Sequence, residues 1–176
     1  MENDQVIRYG KAVQTKAGLR QEMSYWFEGS KTTDVLVWTD SGVAWVETRL
    51  RQGGETFRCK YVQPHWILRK PFEVGASWTT GNGGCTEEDG RGLATAARAS
   101  TYEITGIETL GFQGERYRTL VIKRVSEPIE EPFRTTEEIV KWFSLELGVA
   151  LRSTRVQESQ VHKSVSEQKL VSVEWA

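Results

Sequence analysis

Cysteine, histidine and proline are scarce in this sequence, at two, two and four in 176 residues. Cys59 and Cys85 lie 26 positions apart, too far for a CxxC redox pair, and two thiols alone cannot make a four-ligand zinc site. His65 and His162 have neither HxH nor HxxxH spacing, so no histidine metal site is legible. Glu87, Glu88 and Asp89 offer hard oxygens without the DxDxDG order of a calcium loop. No GxSxG elbow exposes a serine nucleophile, and the GNGG stretch has neither the GxGxxG nor the GK[ST] spacing that cradles phosphate. The expectation is a protein that is not an enzyme, with no cofactor and no metal. Carboxylates are the loophole, because a pair such as Glu103 and Glu115 converging across a hairpin would leave no motif.

Long apolar runs are missing too. Nowhere do about 18 apolar residues follow one another, so no transmembrane segment is expected. The N-terminal MENDQ has neither the basic nor the apolar part of a secretory leader. Two readings follow: a cytoplasmic protein, or a periplasmic or extracellular one whose leader has been removed. A net charge of −1 argues against a nucleic-acid partner, which calls for a large excess of Lys and Arg. Two buried thiols and a Cys59–Cys85 disulfide both fit the spacing, and export would favour the bond.

What the sequence has is aromatic bulk and β-branched residues, with 7 Trp, 6 Phe and 5 Tyr. A chain of this length buries roughly 70% of its unfolded surface, enough for one core. We expect a single β-rich domain over 1–176, with 1–20 a candidate N-terminal arm and 81–92 a Gly-rich loop. From Lys31, KTTDVLVW reads as a strand, Thr39 to Gly42 as a turn, and VAWVETRLR as the returning strand. Gly53-Gly54 suits a two-residue I′ or II′ hairpin loop. That turn fixes a register, with Gln52 opposite Glu55, then Arg51/Thr56, Leu50/Phe57, Arg49/Arg58, Thr48/Cys59, Glu47/Lys60 and Val46/Tyr61. Alternation then predicts Val46, Leu50, Phe57, Cys59 and Tyr61 inside, and Arg49, Arg51, Arg58, Glu47 and Lys60 in water.

A short strand, HWILRK, is expected between Pro64 and Pro71, and another begins near Trp78. Further on, ARASTYEITGIETL and ERYRTLVIKRV read as a hairpin about Gly111 to Gly114. Residues 134–147 are ambiguous, because Thr-Thr-Glu-Glu suits a helix cap. The β-branched Thr135, Thr136, Ile139 and Val140 favour a strand, with GVALRSTRVQ as its partner and QKLVSVEW last. The fold class expected is all-β, a curved antiparallel meander forming a half-barrel or partly open barrel.

Three pieces in order, PFEVGASW from Pro71, the pair STYEITGIETL and QGERYRTLVIKRV, and WFSLELGVALRS, carry a resemblance. Together they resemble a loose group of uncharacterised bacterial envelope domains, exported or lipid-anchored, distantly similar to the half-barrels of lipoprotein carriers. The resemblance spans roughly Met23 to Arg155 and implies curved antiparallel sheets. It brings no catalytic residues with it. The departures are the missing leader and the acidic Gly-rich loop around Cys85.

Two groups of residues are candidate ligand contacts. Arg49 and Arg58, with Arg51 and Lys60, form a basic stripe suited to an anionic ligand or lipid head group, with Trp45 placed by parity beside Arg49. Trp26, Trp38, Trp66, Trp78, Trp142 and Phe143 would either fill a curved sheet or line a cavity for an apolar ligand. The functional expectation is a non-catalytic binding protein of the bacterial envelope, holding a lipid or other small apolar molecule on a concave sheet face. The alternatives are a module that binds an envelope protein, and a small enzyme with an unrecognised carboxylate site.

Overall fold

β-Branched and aromatic residues alternating with polar ones dominate the chain between its glycine turns, and the computed structural model turns them into strands throughout. It describes residues 2–27, 29–80, 85–86, 99–127, 135–159 and 163–175. Among them are β1 (Glu2–Tyr9), β2 (Val13–Thr15), β3 (Gly18–Phe27), β4 (Ser30–Thr39), β5 (Gly42–Gln52), β6 (Glu55–Arg69), β7 (Ser77–Thr80) and β8 (Cys85–Thr86). Then follow β9 (Ala99–Phe112), β10 (Glu115–Glu127), β11 (Thr135–Ser144), β12 (Val149–Ser159) and β13 (Lys163–Trp175). The described residues include no helix, so the chain is all-β, and the strands pair mostly antiparallel. His162, Glu87, Glu88, Asp89 and most of 81–92 lie outside the described residues.

The chain divides into two compact units. One, the β3–β6 unit, comprises Val6–Arg69, Gly81–Ala97 and Ser172–Ala176. Its strands run in the order β1-β3-β4-β5-β6-β8, with β2 folded onto β3. The other, the β9–β13 unit, comprises Met1–Gln5, Lys70–Thr80 and Arg98–Val171, with strands in the order β7-β9-β10-β11-β12-β13. Neither sheet closes into a barrel.

Tight turns hold these meanders in register. Gly53 and Gly54 both take positive φ, 60° and 89°, as a type I′ loop requires. The pairing that follows is the expected one from Gln52↔Glu55 to Glu47↔Lys60. The Val46/Tyr61 pair does not form. A register shift intervenes between Trp45 and Glu47, and β6 resumes pairing at His65, opposite Trp45. Pro64, without an N–H, lies in the gap, so His65 to Arg69 are the end of β6 rather than a strand of their own, and Lys70 lies beyond it. At Gly42 an added Cβ would fall 2.1 Å from the Leu68 carbonyl oxygen, which explains glycine where β5 meets β6.

In the β9–β13 unit, alternation is regular along β9. Ser100, Tyr102 and Ile104 are buried, while Thr101, Glu103 and Thr105 are exposed. Trp78 stacks on Tyr102, with ring centroids 5.2 Å apart. Residues 135–144 are a strand, paired with β10 and β12, because the β-branched residues find partners on both sides there. Ile104, Leu120, Ile122, Phe143, Val149 and Leu151 supply the apolar core of this unit. Glu103 lies opposite Lys123, and Glu115 opposite Phe112 at the far end of the same hairpin, so these two carboxylates do not converge.

Candidate functional site

Cross-strand partners share a face, so the registers divide the β3–β6 sheet into two surfaces of opposite character. The first carries Tyr9, Met23, Tyr25, Asp34, Leu36, Trp38, Val43, Trp45, Thr48, Leu50, Phe57, Cys59, Tyr61, His65 and Leu68. Among the described residues, no Lys or Arg from these strands shares that side. At its centre is Asp34, 4% exposed. Thr48 Oγ1 donates to Asp34 Oδ1 at 2.7 Å, and the Tyr25 hydroxyl lies near enough to feel the charge of this carboxylate. Tyr9 donates to Met23 Sδ at 3.3 Å. Burial pushes the Tyr9 and Tyr25 hydroxyls well above the usual phenol range, and the neighbouring Asp34 charge pushes them further. Trp45 stacks on His65 with centroids 5.5 Å apart, and Tyr61 is tilted against the same imidazole at 6.0 Å.

Trp45 is therefore not beside Arg49. The register shift at Val46 turns it to the Asp34 side. Cys59 is half-buried on that side and is disulfide-bonded, and Cys85 is the one other cysteine in the chain. The backbone of Cys85 pairs with Tyr61.

The second surface is basic. Arg8, Arg20, Lys31, Arg49, Arg51, Arg58, Lys60 and Arg69 point there, against Glu22 and Glu47. Its middle is not the wet stripe that alternation alone predicts. Glu47 is only 5% exposed, and Leu50, Phe57, Arg49 and Arg58 are all half-buried, so neither the expected deep burial of the apolar pair nor the expected solvation of the arginines holds. For the arginines the reason is charge pairing. Arg49 Nε and Arg58 Nε donate to Glu47 Oε1 at 2.7 and 2.8 Å, and a second Arg58 nitrogen donates to Oε2 at 3.0 Å. Arg49 also reaches Glu22 at 2.6 Å. Burial works to raise the Glu47 carboxyl, but hydrogen bonds and charge from Arg58 and Arg49 outweigh it and hold the group below its usual range. Arg49 and Arg58 are thus engaged with carboxylates.

At one end of this surface the chemistry differs. Trp26 is 43% exposed, with the Arg8 guanidinium 4.8 Å and the Lys31 ammonium 5.3 Å from its ring centre. Lys31 lies directly opposite Arg51, and among the described residues neither has a carboxylate partner. Like charges facing across a strand pair cost stability. Arg49 and Arg58 face each other in the same way, but Glu47 sits between them.

The remaining candidate residues are spread over both units. Trp38 and Trp66 are half-buried in the β3–β6 unit, on its Asp34 and basic surfaces respectively, with Arg69 5.9 Å from the Trp66 ring. Trp78, Trp142 and Phe143 belong to the β9–β13 unit. Trp78 and Phe143 are buried, and Trp142 donates to Glu108 Oε2 at 2.9 Å under the Arg152 guanidinium at 4.6 Å. The structure brings Trp26, Arg49 and Arg58 onto one surface; it does not bring the candidate aromatic rings onto one face.

Sequence reasoning passed over two buried carboxylates besides Glu47. Asp34 was legible in principle, since Thr32, Asp34, Leu36 and Trp38 share parity along an otherwise apolar strand. Glu137, 4% exposed, sits between Arg124 and Arg155 at the end of a buried row that includes Ser126, Ser100 and Thr80. Its arginines come from two other strands, so no local pattern announces it. Among the described residues no group of three or more His, Cys, Asp or Glu is placed to hold a metal, and no helix is long and apolar enough to cross a membrane. Comparison with protein-family models, curated proteins and solved structures finds no match to this chain.

Proposed function

We propose that the protein is a non-catalytic binding protein of the bacterial envelope whose ligand is an anionic amphiphile. The observation that carries this reading is the Lys31/Arg51 pair beside the exposed Trp26 ring, a pair that has no carboxylate partner among the described residues. Elsewhere on the same surface opposed cations close on a carboxylate, and here they do not. An anion between Lys31 and Arg51 would relieve their repulsion, and the indole offers its apolar edge to an attached chain. The disulfide at Cys59 supports an oxidising compartment.

Calorimetric titration with monomeric dodecyl phosphate tests the reading, with dodecanol as the neutral control. Binding of the phosphate alone, weakened about tenfold or more in the Lys31→Gln/Arg51→Gln double variant, is the expected result. Equal binding of phosphate and alcohol, or an unaffected double variant, refutes it.

A further inference from the structure

We infer that the Trp26 end of the basic surface docks on an anionic phospholipid bilayer, with the indole as its interfacial anchor. This rests on the anionic-ligand reading above and names where that ligand resides. Cations alone would serve a small soluble anion. This patch adds exposed apolar area to them: Trp26 at 43% and Val6 at 38% exposure, with Val6 following from the β1–β3 register onto the strand position beside Trp26. Tryptophan ringed by Arg and Lys is the composition that partitions to the boundary between head groups and acyl chains, the ring buried shallowly and the cations in the phosphate layer.

The patch is also continuous across the sheet. Arg8, Trp26, Lys31 and Arg51 come from β1, β3, β4 and β5, four neighbouring strands of one sheet, so their side chains stand on a common surface about three strand spacings, or roughly 14 Å, across. Glu22, Arg49, Glu47 and Arg58, further along the same surface, are already paired with one another, so the middle of the surface adds little to the attraction exerted by Lys31 and Arg51. Complementary charge on the other side is what an anionic leaflet supplies.

The test is flotation of the full-length, disulfide-bonded protein with extruded vesicles of phosphatidylcholine containing about a third phosphatidylglycerol, against pure phosphatidylcholine. The expected result is partition to the anionic vesicles only, falling about fivefold for Lys31→Gln and for Arg51→Gln, and reduced in Trp26→Ala. Brominated acyl chains should quench part of the wild-type tryptophan emission and less of it in Trp26→Phe, which keeps a ring and guards against a folding artefact. Equal partition to both vesicles, or anionic partition indifferent to all three positions, overturns the inference. If dodecyl phosphate binds as a monomer while vesicles do not float the protein, the docking inference fails and the ligand reading stands. Vesicle docking without monomer binding does the reverse, and absence of both removes both.

Discussion

Replacing Glu47 by Gln keeps the side chain's shape and removes its charge, and the structure allows the consequence to be sized. The carboxylate accepts three hydrogen bonds from Arg49 and Arg58 while 5% exposed. A hydrogen bond to a charged group contributes about 1.5 to 3 kcal/mol. Gln retains one oxygen for one guanidinium and turns an NH2 toward the other, so at least one donor loses its acceptor. The loss stays near the lower bound because Arg49 and Arg58 are each about a third exposed, at 32% and 36%, and recover water, and because Arg49 keeps Glu22. We expect a destabilisation of about 2 kcal/mol, or a Tm lower by about 4 to 8 °C for a chain of this size. The pH dependence carries the sign. The folded-state carboxyl titrates below its ordinary value of 4.5, so its contribution is complete above that value and is lost as pH falls through the folded one. Urea unfolding at about pH 7 and about pH 3 should therefore show a gap between wild type and variant that closes on acidification. A Glu47→Gln variant that matches wild type at neutral pH, or a gap that widens in acid, would show that the two arginines do not hold this carboxylate.

Two other perturbations test neighbouring parts of the same sheet. Tyr9 and Tyr25 resist ionisation in the folded state, so wild-type stability should fall as pH rises above the ordinary phenol value of 10.0, where the unfolded chain begins to ionise them. Asp34→Asn removes one cause of that resistance and leaves burial, so the alkaline loss should level off at a lower pH than in wild type even though the variant starts less stable by about 1 to 3 kcal/mol; a loss that runs on to the same pH or beyond would contradict the placement of Asp34. Gly42→Ala drives a Cβ to 2.1 Å from the Leu68 carbonyl oxygen at φ +142°, whereas Gly53→Ala meets nothing within 4 Å. Thermal melts should show about 3 kcal/mol or more lost at Gly42 and about 1 at Gly53, and equal losses would refute the close approach of β5 to β6.

Much of the local architecture is readable directly along the chain. The Gly53-Gly54 loop dictates the six cross-strand pairs from Gln52↔Glu55 to Glu47↔Lys60, because a two-residue turn leaves no freedom in register. Residues 135–144 are legible as a strand for a different reason: β-branched side chains suit a pleated surface better than a helix turn. The candidate site is legible only in part. Arg49 and Arg58 read as contacts for an external anion, and the structure gives them the chain's own carboxylates instead. Glu22 comes from a strand two positions away in the sheet, and Glu47 looks solvated in a linear reading, so neither pairing shows in the pattern around the arginines.

Period-2 alternation, the turns and hence the hairpins each depend on residues a few positions apart, and so they are written in the sequence. Which charges are engaged and which are left over is a matter of tertiary structure. Arg49 and Arg58 look no different in sequence from Lys31 and Arg51. The difference arises because one opposed pair has Glu47 between it, while the other faces Trp26 and solvent. One skipped residue at Val46 also moves Trp45 to the opposite side of the sheet. Register shifts and cross-strand ion pairs depend on which strands meet and how they slide past one another, and that is settled by packing of the whole sheet rather than by any window of the chain.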